Sequence, residues 1–173
     1  MRAKVIISSS NEANVNDAVI NIQKDIENPN NVTGATLDLS NTNNIKAFIE
    51  QQASLHNGLD ILITNTAGPK RGELDNIALG DITEAYKQLV APVFELIKSA
   101  NKYLKNSNNA SILNIASISA KQPIPGLLLS NMLRPMVTAL SKDLSQELGP
   151  LGIRVNSILP GWISTDRSKT LLN

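Results

Sequence analysis

Short β-branched apolar runs alternate along this chain with longer segments whose apolar residues recur at helical spacing, and that alternation most narrows the folds open to it. Lys4 to Ile7 and Val32 to Leu39 read as strands, followed by Leu59 to Ile63, Ile112 to Ala116 and a last apolar run that stops at Pro160-Gly161. Val15, Val19, Ile22 and Ile26 form one stripe on a helix predicted to stop near Asn28-Pro29. A second helix follows Ser40, with Ile45, Phe48, Ile49 and Leu55 as its buried side and Asn57-Gly58 closing it. Leu59 to Ile63 is nearly continuously apolar, as in a strand covered on both faces. Lys70 to Asp81 reads as an irregular connection. From Ile82 to Leu104 the stripe is Leu89, Val93, Leu96, Ala100 and Leu104, and Pro92 marks either a kink or a separate first turn. A long amphipathic helix joins the last two strands. Strand and helix in strict alternation predict parallel pairing with right-handed crossovers, hence a three-layer α/β/α sandwich.

The 173 residues, 42% of them apolar, suffice for one core, so residues 1–173 are expected to form a single domain. No internal repeat, low-complexity tract or linker interrupts them. Sixteen basic and fifteen acidic side chains leave a formal charge of +1, with no basic run, which disfavours nucleic acid and anionic membranes as partners. The absence of cysteine excludes disulfides, thiolate metal sites and thiol nucleophiles, and fits a reducing compartment. His56 is the only histidine, so neither a histidine-based triad nor a multi-histidine metal site can be built within one chain, and a solvated helix end is expected for it. Val5 to Ile7 is too short for a signal peptide, and no stretch reaches membrane-spanning length, so a cytoplasmic protein is expected.

In open parallel sheets a ligand sits outside the carboxyl ends of the strands. The segment Ser111 to Thr165 forms a strand, helix, strand unit whose strands both end in polar groups, which places Ser117 and the Pro160-to-Thr165 turn at one mouth. Asn65-Thr66-Ala67-Gly68-Pro69, a turn of small residues, follows the third strand directly; small side chains let a backbone approach a ligand closely, and they also simply make turns.

Read together, these segments resemble the short-chain dehydrogenase/reductase family. Glu147-Leu-Gly-Pro-Leu-Gly-Ile-Arg-Val-Asn156 with Pro160-Gly161-Trp-Ile-Ser-Thr165 is similar to the family's ELGPxGIRVN and PGxIxT. Leu59-Asp-Ile-Leu-Ile-Thr-Asn-Thr-Ala-Gly68 looks like its DILVNNAG, and Asp38-Leu39 like its adenine-contacting strand end. The resemblance implies a Rossmann-like doubly wound sheet, hydride transfer between NAD or NADP and a carbonyl or alcohol substrate of the 3-oxoacyl kind, and a homo-oligomer. It implies cofactor contacts from Ser9, Ser10, Asp38, Leu39, Asn65, Thr66, Ala67, Arg134, Pro160, Gly161, Ile163 and Thr165. Ser8-Ser9-Ser10-Asn11 holds no carboxylate to repel a 2′-phosphate, which favours NADP, and no arginine to bind one.

The same comparison sets out three departures. Ser117 falls on the family's catalytic serine, but the tyrosine thirteen residues on is Ser130 and the lysine four further on is Arg134. The asparagine of the preceding helix is Leu89. A serine hydroxyl is a far weaker acid than a lysine-tuned phenol, while Arg134 stays charged and is able to hold the nicotinamide ribose without relaying a proton. The chain also starts on what resembles the family's second strand, without the Gly-rich first strand, turn and helix, which predicts a gap in the sheet and weakened cofactor affinity; its end at Asn173 omits the family's lid and last strand. Bland readings stand beside the functional ones. Ser117 is otherwise a strand-end hydroxyl satisfying backbone, Ser130 a helix N-cap, Arg134 a solvated helix cation, and Lys121 an exposed loop cation rather than a substitute acid. Pro135 disfavours helical geometry at Arg134, which predicts a later start for this helix than in the family. The candidate catalytic set is Ser117, Ser130 and Arg134. Three functions remain open: a divergent reductase, a nucleotide-binding or subunit protein that kept the fold and lost the chemistry, and a defective fragment.

Overall fold

The computed structural model of the chain describes residues 3–164. Strands β1 (Val5–Ser9), β2 (Val32–Thr36), β3 (Ile61–Asn65), β4 (Ser111–Ile115) and β5 (Arg154–Ile158) alternate with helices α1 (Glu12–Lys24), α2 (Asn43–His56), α3 (Leu79–Leu89), α4 (Ala91–Leu104) and α5 (Leu128–Leu148). Local chemistry sets the boundaries. The Asn11 side chain accepts the Asn14 N–H at 3.0 Å and starts α1. At the end of α2, Asn57 turns left-handed at φ 60° and the Gly58 N–H returns to the Ala53 carbonyl at 2.8 Å. His56 is the last residue of α2 and is half-buried.

All strand pairs are parallel, but they form two sheets, β1 with β2 and β3 with β4 with β5. The expected gap in the sheet is therefore present. Val15 of α1 lies over Gly34 of β2, where a Cβ would collide with its side chain. Val15 is buried outside the main core, which gathers Leu37, Ile45, Leu62, Leu89, Leu96, Ile112, Leu129 and Val137 from α2, α3, α4, α5 and the strand faces beneath them. So α1 covers one face, and α2, α4 and α5 cover the other. Because parallel crossovers are right-handed, a helix on the opposite face means that the chain has reversed direction along the sheet. The spatial order is then β2, β1, the gap, β3, β4, β5, and packing of α2 against α4 bridges the gap on one side.

Several expectations need correction. Helix α1 stops at Lys24, leaving Ile26 outside it, and Ile22 is 41% exposed, because only two strands lie beneath this helix. Strand β2 ends at Thr36 rather than Leu39. Leu55 is exposed on the far side of α2. Ile61 and Ile63 are 53% and 58% exposed, since among the described residues no element covers that face of β3. The stripe from Leu89 to Leu104 is buried as expected, but at Val90 the backbone divides it into α3 and α4, with Pro92 in the first turn of the second. Helix α5 runs straight through Arg134 and Pro135. Leu129, Leu133, Arg134 and Val137 are all buried along one side of it, and that anchoring outweighs the local preference of a pre-proline residue.

Candidate active site

The mouth is built by the carboxyl ends of β3, β4 and β5. The ladder between β4 and β5 continues past both strands: the Ala116 N–H donates to the Ile158 carbonyl at 2.9 Å and the Ile118 N–H to the Pro160 carbonyl at 3.0 Å. Ser117 is thereby held between two bonds to the β5 side, next to Pro160. Its Oγ accepts the Ser119 N–H at 3.2 Å and caps a single 3₁₀ turn, Ile118–Ala120. That lone pair satisfies backbone, as the bland reading had it, yet the Ser117 O–H finds no acceptor among the described residues and remains able to donate into the mouth.

Ser130 sits in the first turn of α5, but the N-cap is Leu127, so the capping reading of Ser130 fails. Its Oγ lies 3.0 Å from the Oγ of Ser119. Ser119 is 1% exposed and was not singled out by the sequence; only the fold brings it to the helix start eleven positions later. Three hydroxyl residues, Ser117, Ser119 and Ser130, therefore share one corner.

Arg134, one turn beyond Ser130, is 8% exposed rather than solvated. Its Nη1 donates to the Ile115 carbonyl at 3.3 Å and its Nη2 to the Thr66 carbonyl at 3.5 Å. A guanidinium stays protonated, so a fixed positive charge lies beneath the ends of β3 and β4. Leu89 is fully buried; its carbonyl accepts the Thr66 hydroxyl at 3.4 Å and its side chain belongs to the core, leaving no side-chain polar group there. Thr66 itself points inward at 8% exposure, whereas Asn65 and Ala67 are exposed. Lys121 is exposed beyond the 3₁₀ turn, in line with its bland reading. Gly161 and Ile163 are exposed at the rim beside Trp162, and Thr165 lies outside the described residues.

Across the gap, the ends of β1 and β2 bring Ser9, Ser10, Asp38 and Leu39 together. The Leu37 N–H donates to the Ser9 carbonyl at 2.9 Å, and the Asp38 carboxylate accepts the Ser40 N–H at 2.9 Å. That backbone bond, with a second from the Ser40 hydroxyl, holds the Asp38 carboxyl below its ordinary range, so it stays anionic. Ser9 and Ser10 end β1 in a stretch, Ser8 to Asn11, that itself holds no carboxylate, so Asp38 supplies the negative charge at this strand end.

One wall of the mouth is formed by two loops. The Gly72 N–H donates to the Gly126 carbonyl at 2.9 Å and the Leu128 N–H to the Gly72 carbonyl at 3.2 Å. Asn131, next to Ser130, locks the second loop: its Oδ1 accepts the Ile124 N–H at 3.0 Å and its Nδ2 donates to the Ile124 carbonyl at 2.9 Å. Between the loops lies a cavity of about 320 Å³ faced by Leu74, Ile124, Leu128 and two prolines. A larger cavity of about 570 Å³, at the amino ends of β3 and β4 beside Asp60 and Ser107, contains none of the expected site residues.

The family profile described as enoyl-(acyl carrier protein) reductase matches residues 1–173. Dehydrogenase/reductase SDR family member 4 of Oryctolagus cuniculus is 30% identical over 170 residues, which cover 98% of this chain and 64% of that protein. Among solved structures, YwfH, an NADPH-dependent reductase involved in bacilysin biosynthesis, is 26% identical with a TM-score of 0.90, covering 96% of this chain and 65% of that one. A short-chain oxidoreductase from Pseudomonas aeruginosa PAO1 with an atypical catalytic centre, solved with NADPH, is 19% identical with a TM-score of 0.91, covering 98% and 66%; it shares the fold. The chain thus spans just under two thirds of the relatives it matches.

Proposed function

Because the chain belongs to the short-chain dehydrogenase/reductase family, we propose that it serves an oxidoreductase that exchanges hydride between a nicotinamide nucleotide and a carbonyl or alcohol, with Ser117 and Ser130 at the substrate oxygen. The reading rests above all on the corner where Ser117 Oγ accepts the Ser119 N–H and the hydroxyls of Ser119 and Ser130 meet, one turn before the Arg134 guanidinium buried against the Ile115 and Thr66 carbonyls. A bound nicotinamide nucleotide would supply the hydride. Asp38 and Leu39 beside Ser9 and Ser10 are the residues that would hold the adenosine, and Asn65, Thr66, Ala67, Pro160, Gly161 and Ile163 with Arg134 those that would hold the nicotinamide half.

Ser117 donates to the substrate oxygen, and its own lone pair is held by the Ser119 N–H, so its rotamer is set before substrate arrives. The Ser130 Oγ is held 3.0 Å from the Ser119 Oγ, and with Ser119 as the donor of that pair the Ser130 O–H is left for the substrate oxygen. As negative charge develops on the oxygen, two hydroxyl donors and the nearby guanidinium offset it. Neither serine is acidic enough to complete the alcohol readily near neutrality, so the proton is assigned to water. With no carboxylate among Ser8, Ser9 and Ser10, the preferred nucleotide is NADP, in agreement with the NADPH dependence stated for YwfH, and NAD is the lesser candidate. A homo-oligomer and a cytoplasmic setting belong to the same proposal.

The second reading is a nucleotide-binding or subunit protein without chemistry. It is favoured by Ser130 in place of a phenol and by the fully buried Leu89 in place of an amide. Nicotinamide oxidation across a panel of aldehydes and ketones separates the two. Loss of one oxyanion donor costs about 100-fold or more in turnover, so the reductase reading expects a drop of that size in Ser117→Ala. Tight nucleotide binding with no turnover on any carbonyl supports the subunit reading, and no nucleotide binding at all overturns both.

A further inference from the structure

We propose that Asn57-Gly58 is a deamidation site gated by the end of α2, where the chain modifies itself when that helix end opens. Among the chain's many asparagines only Asn57 is followed by a glycine. A glycine has no Cβ to hinder approach to the preceding side chain, so its amide nitrogen, once deprotonated, attacks Asn57 Cγ. The bond from Gly58 N to Asn57 Cγ forms, the bond from Cγ to Nδ2 breaks, and Nδ2 leaves as ammonia carrying the proton lost by Gly58. Water then opens the resulting succinimide at either of its carbonyls, which leaves aspartate or isoaspartate at position 57. Asn57 is exposed, and with Gly58, Asp60 and Ser107 it lines the cavity of about 570 Å³ at the amino ends of β3 and β4, so water reaches the pair.

The closed cap restrains this reaction. Asn57 is left-handed at φ 60°, and both its own N–H and the Gly58 N–H turn back to the carbonyl of buried Ala53, the second at 2.8 Å. The proton that has to leave is thus held in a hydrogen bond, and Gly58 is fixed at φ 129°. Attack requires that bond to break, and with it the last turn of α2 to open. The product then opposes reclosure. A new carboxylate stands at the helix C-terminus, where the peptide dipoles already gather negative charge. Isoaspartate also adds a methylene to the main chain, which changes the spacing from Ala53 to Gly58. Each event therefore loosens the end of a helix that packs on α4, whatever chemistry the mouth performs.

The test incubates the whole chain at mildly alkaline pH, in native buffer and in guanidinium chloride, and follows position 57 by peptide mapping and mass spectrometry. The unfolded chain should convert about tenfold faster than the native one, or more. Leu55 is exposed in the last turn of α2, and Leu55→Gly replaces a good helix former there, so its native rate should rise about threefold while its rate in denaturant stays that of the parent. Asn57→Gly keeps a residue suited to the left-handed cap and has no carboxamide to lose. Its thermal midpoint should hold through an incubation that lowers the parent's. Equal rates in buffer and denaturant, or an unchanged native rate in Leu55→Gly, would overturn the gate. No conversion in denaturant, or the same loss of midpoint in Asn57→Gly as in the parent, would overturn the site.

Discussion

Two residues before the mouth, the three strands carry polar side chains in one row, Thr64 level with Asn114 and Asn114 level with Ser157. Asn114 is fully buried. Its Oδ1 accepts the Thr64 hydroxyl at 2.6 Å and its Nδ2 donates to Ser141 Oγ of α5 at 2.8 Å. Ser141 in turn accepts the Ser157 hydroxyl at 2.7 Å and donates to the Val137 carbonyl at 2.7 Å. Asn114→Ala deletes two bonds and leaves the Thr64 hydroxyl buried at 1% exposure with no acceptor, while Ser141 keeps two partners. At about 1 kcal/mol per bond, with the orphaned hydroxyl and a small void added, the loss should be about 3–4 kcal/mol. Thr64→Val removes the hydroxyl that would be stranded, so the double variant should cost about 1–2 kcal/mol less than the sum of the single changes. Urea unfolding of the four proteins measures this. An Asn114→Ala loss below about 1 kcal/mol, or strict additivity with Thr64→Val, would refute the idea that this row fixes the strand ends carrying Thr66, Ser117 and Pro160.

Asn131→Ala should speed amide exchange at Ile124 and cost about 1–2 kcal/mol, and Asn131→Asp, which keeps the acceptor for the Ile124 N–H, should recover part of both; unchanged exchange in Asn131→Ala would remove the clamp from the account. Asp81 is held below its ordinary pKa, first by Lys70 and then by the Ala78 N–H at the start of α3. A lowered carboxylate stabilises above its unfolded pKa and loses that contribution as pH falls through the folded one. Asp81→Asn should therefore lower the urea midpoint at neutral pH and match the parent protein in strong acid, and a gap that persists there would contradict the assignment.

Periodicity exposes what a helix buries, and Leu89 through Leu104 are inside because their spacing allows one continuous stripe. It does not reveal whether a cover exists. Ile61 and Ile63 read as a doubly buried strand and stand exposed, because residue type reports a preference for burial and says nothing of whether a partner element is there. Ser130 and Arg134 were singled out through the resemblance, as the positions thirteen and seventeen residues after Ser117 where the family has its tyrosine and lysine. Ser119 was not, since nothing distinguishes it from an ordinary loop serine until the 3₁₀ turn carries it to Ser130. The sequence left the alternative of a solvated cation at Arg134 open, because the two carbonyls that hold it, Ile115 and Thr66, come from positions 19 and 68 residues away.

The claim at the centre is that this serine corner supports hydride exchange with a carbonyl. The direct measurement uses NADPH deuterated at the transferring carbon of the nicotinamide, incubated with the protein and the carbonyl panel, with the alcohols analysed by mass spectrometry. The account predicts deuterium on the former carbonyl carbon, with the label falling about 100-fold in Ser117→Ala. Saturated nucleotide binding with no deuterium in any alcohol would contradict it.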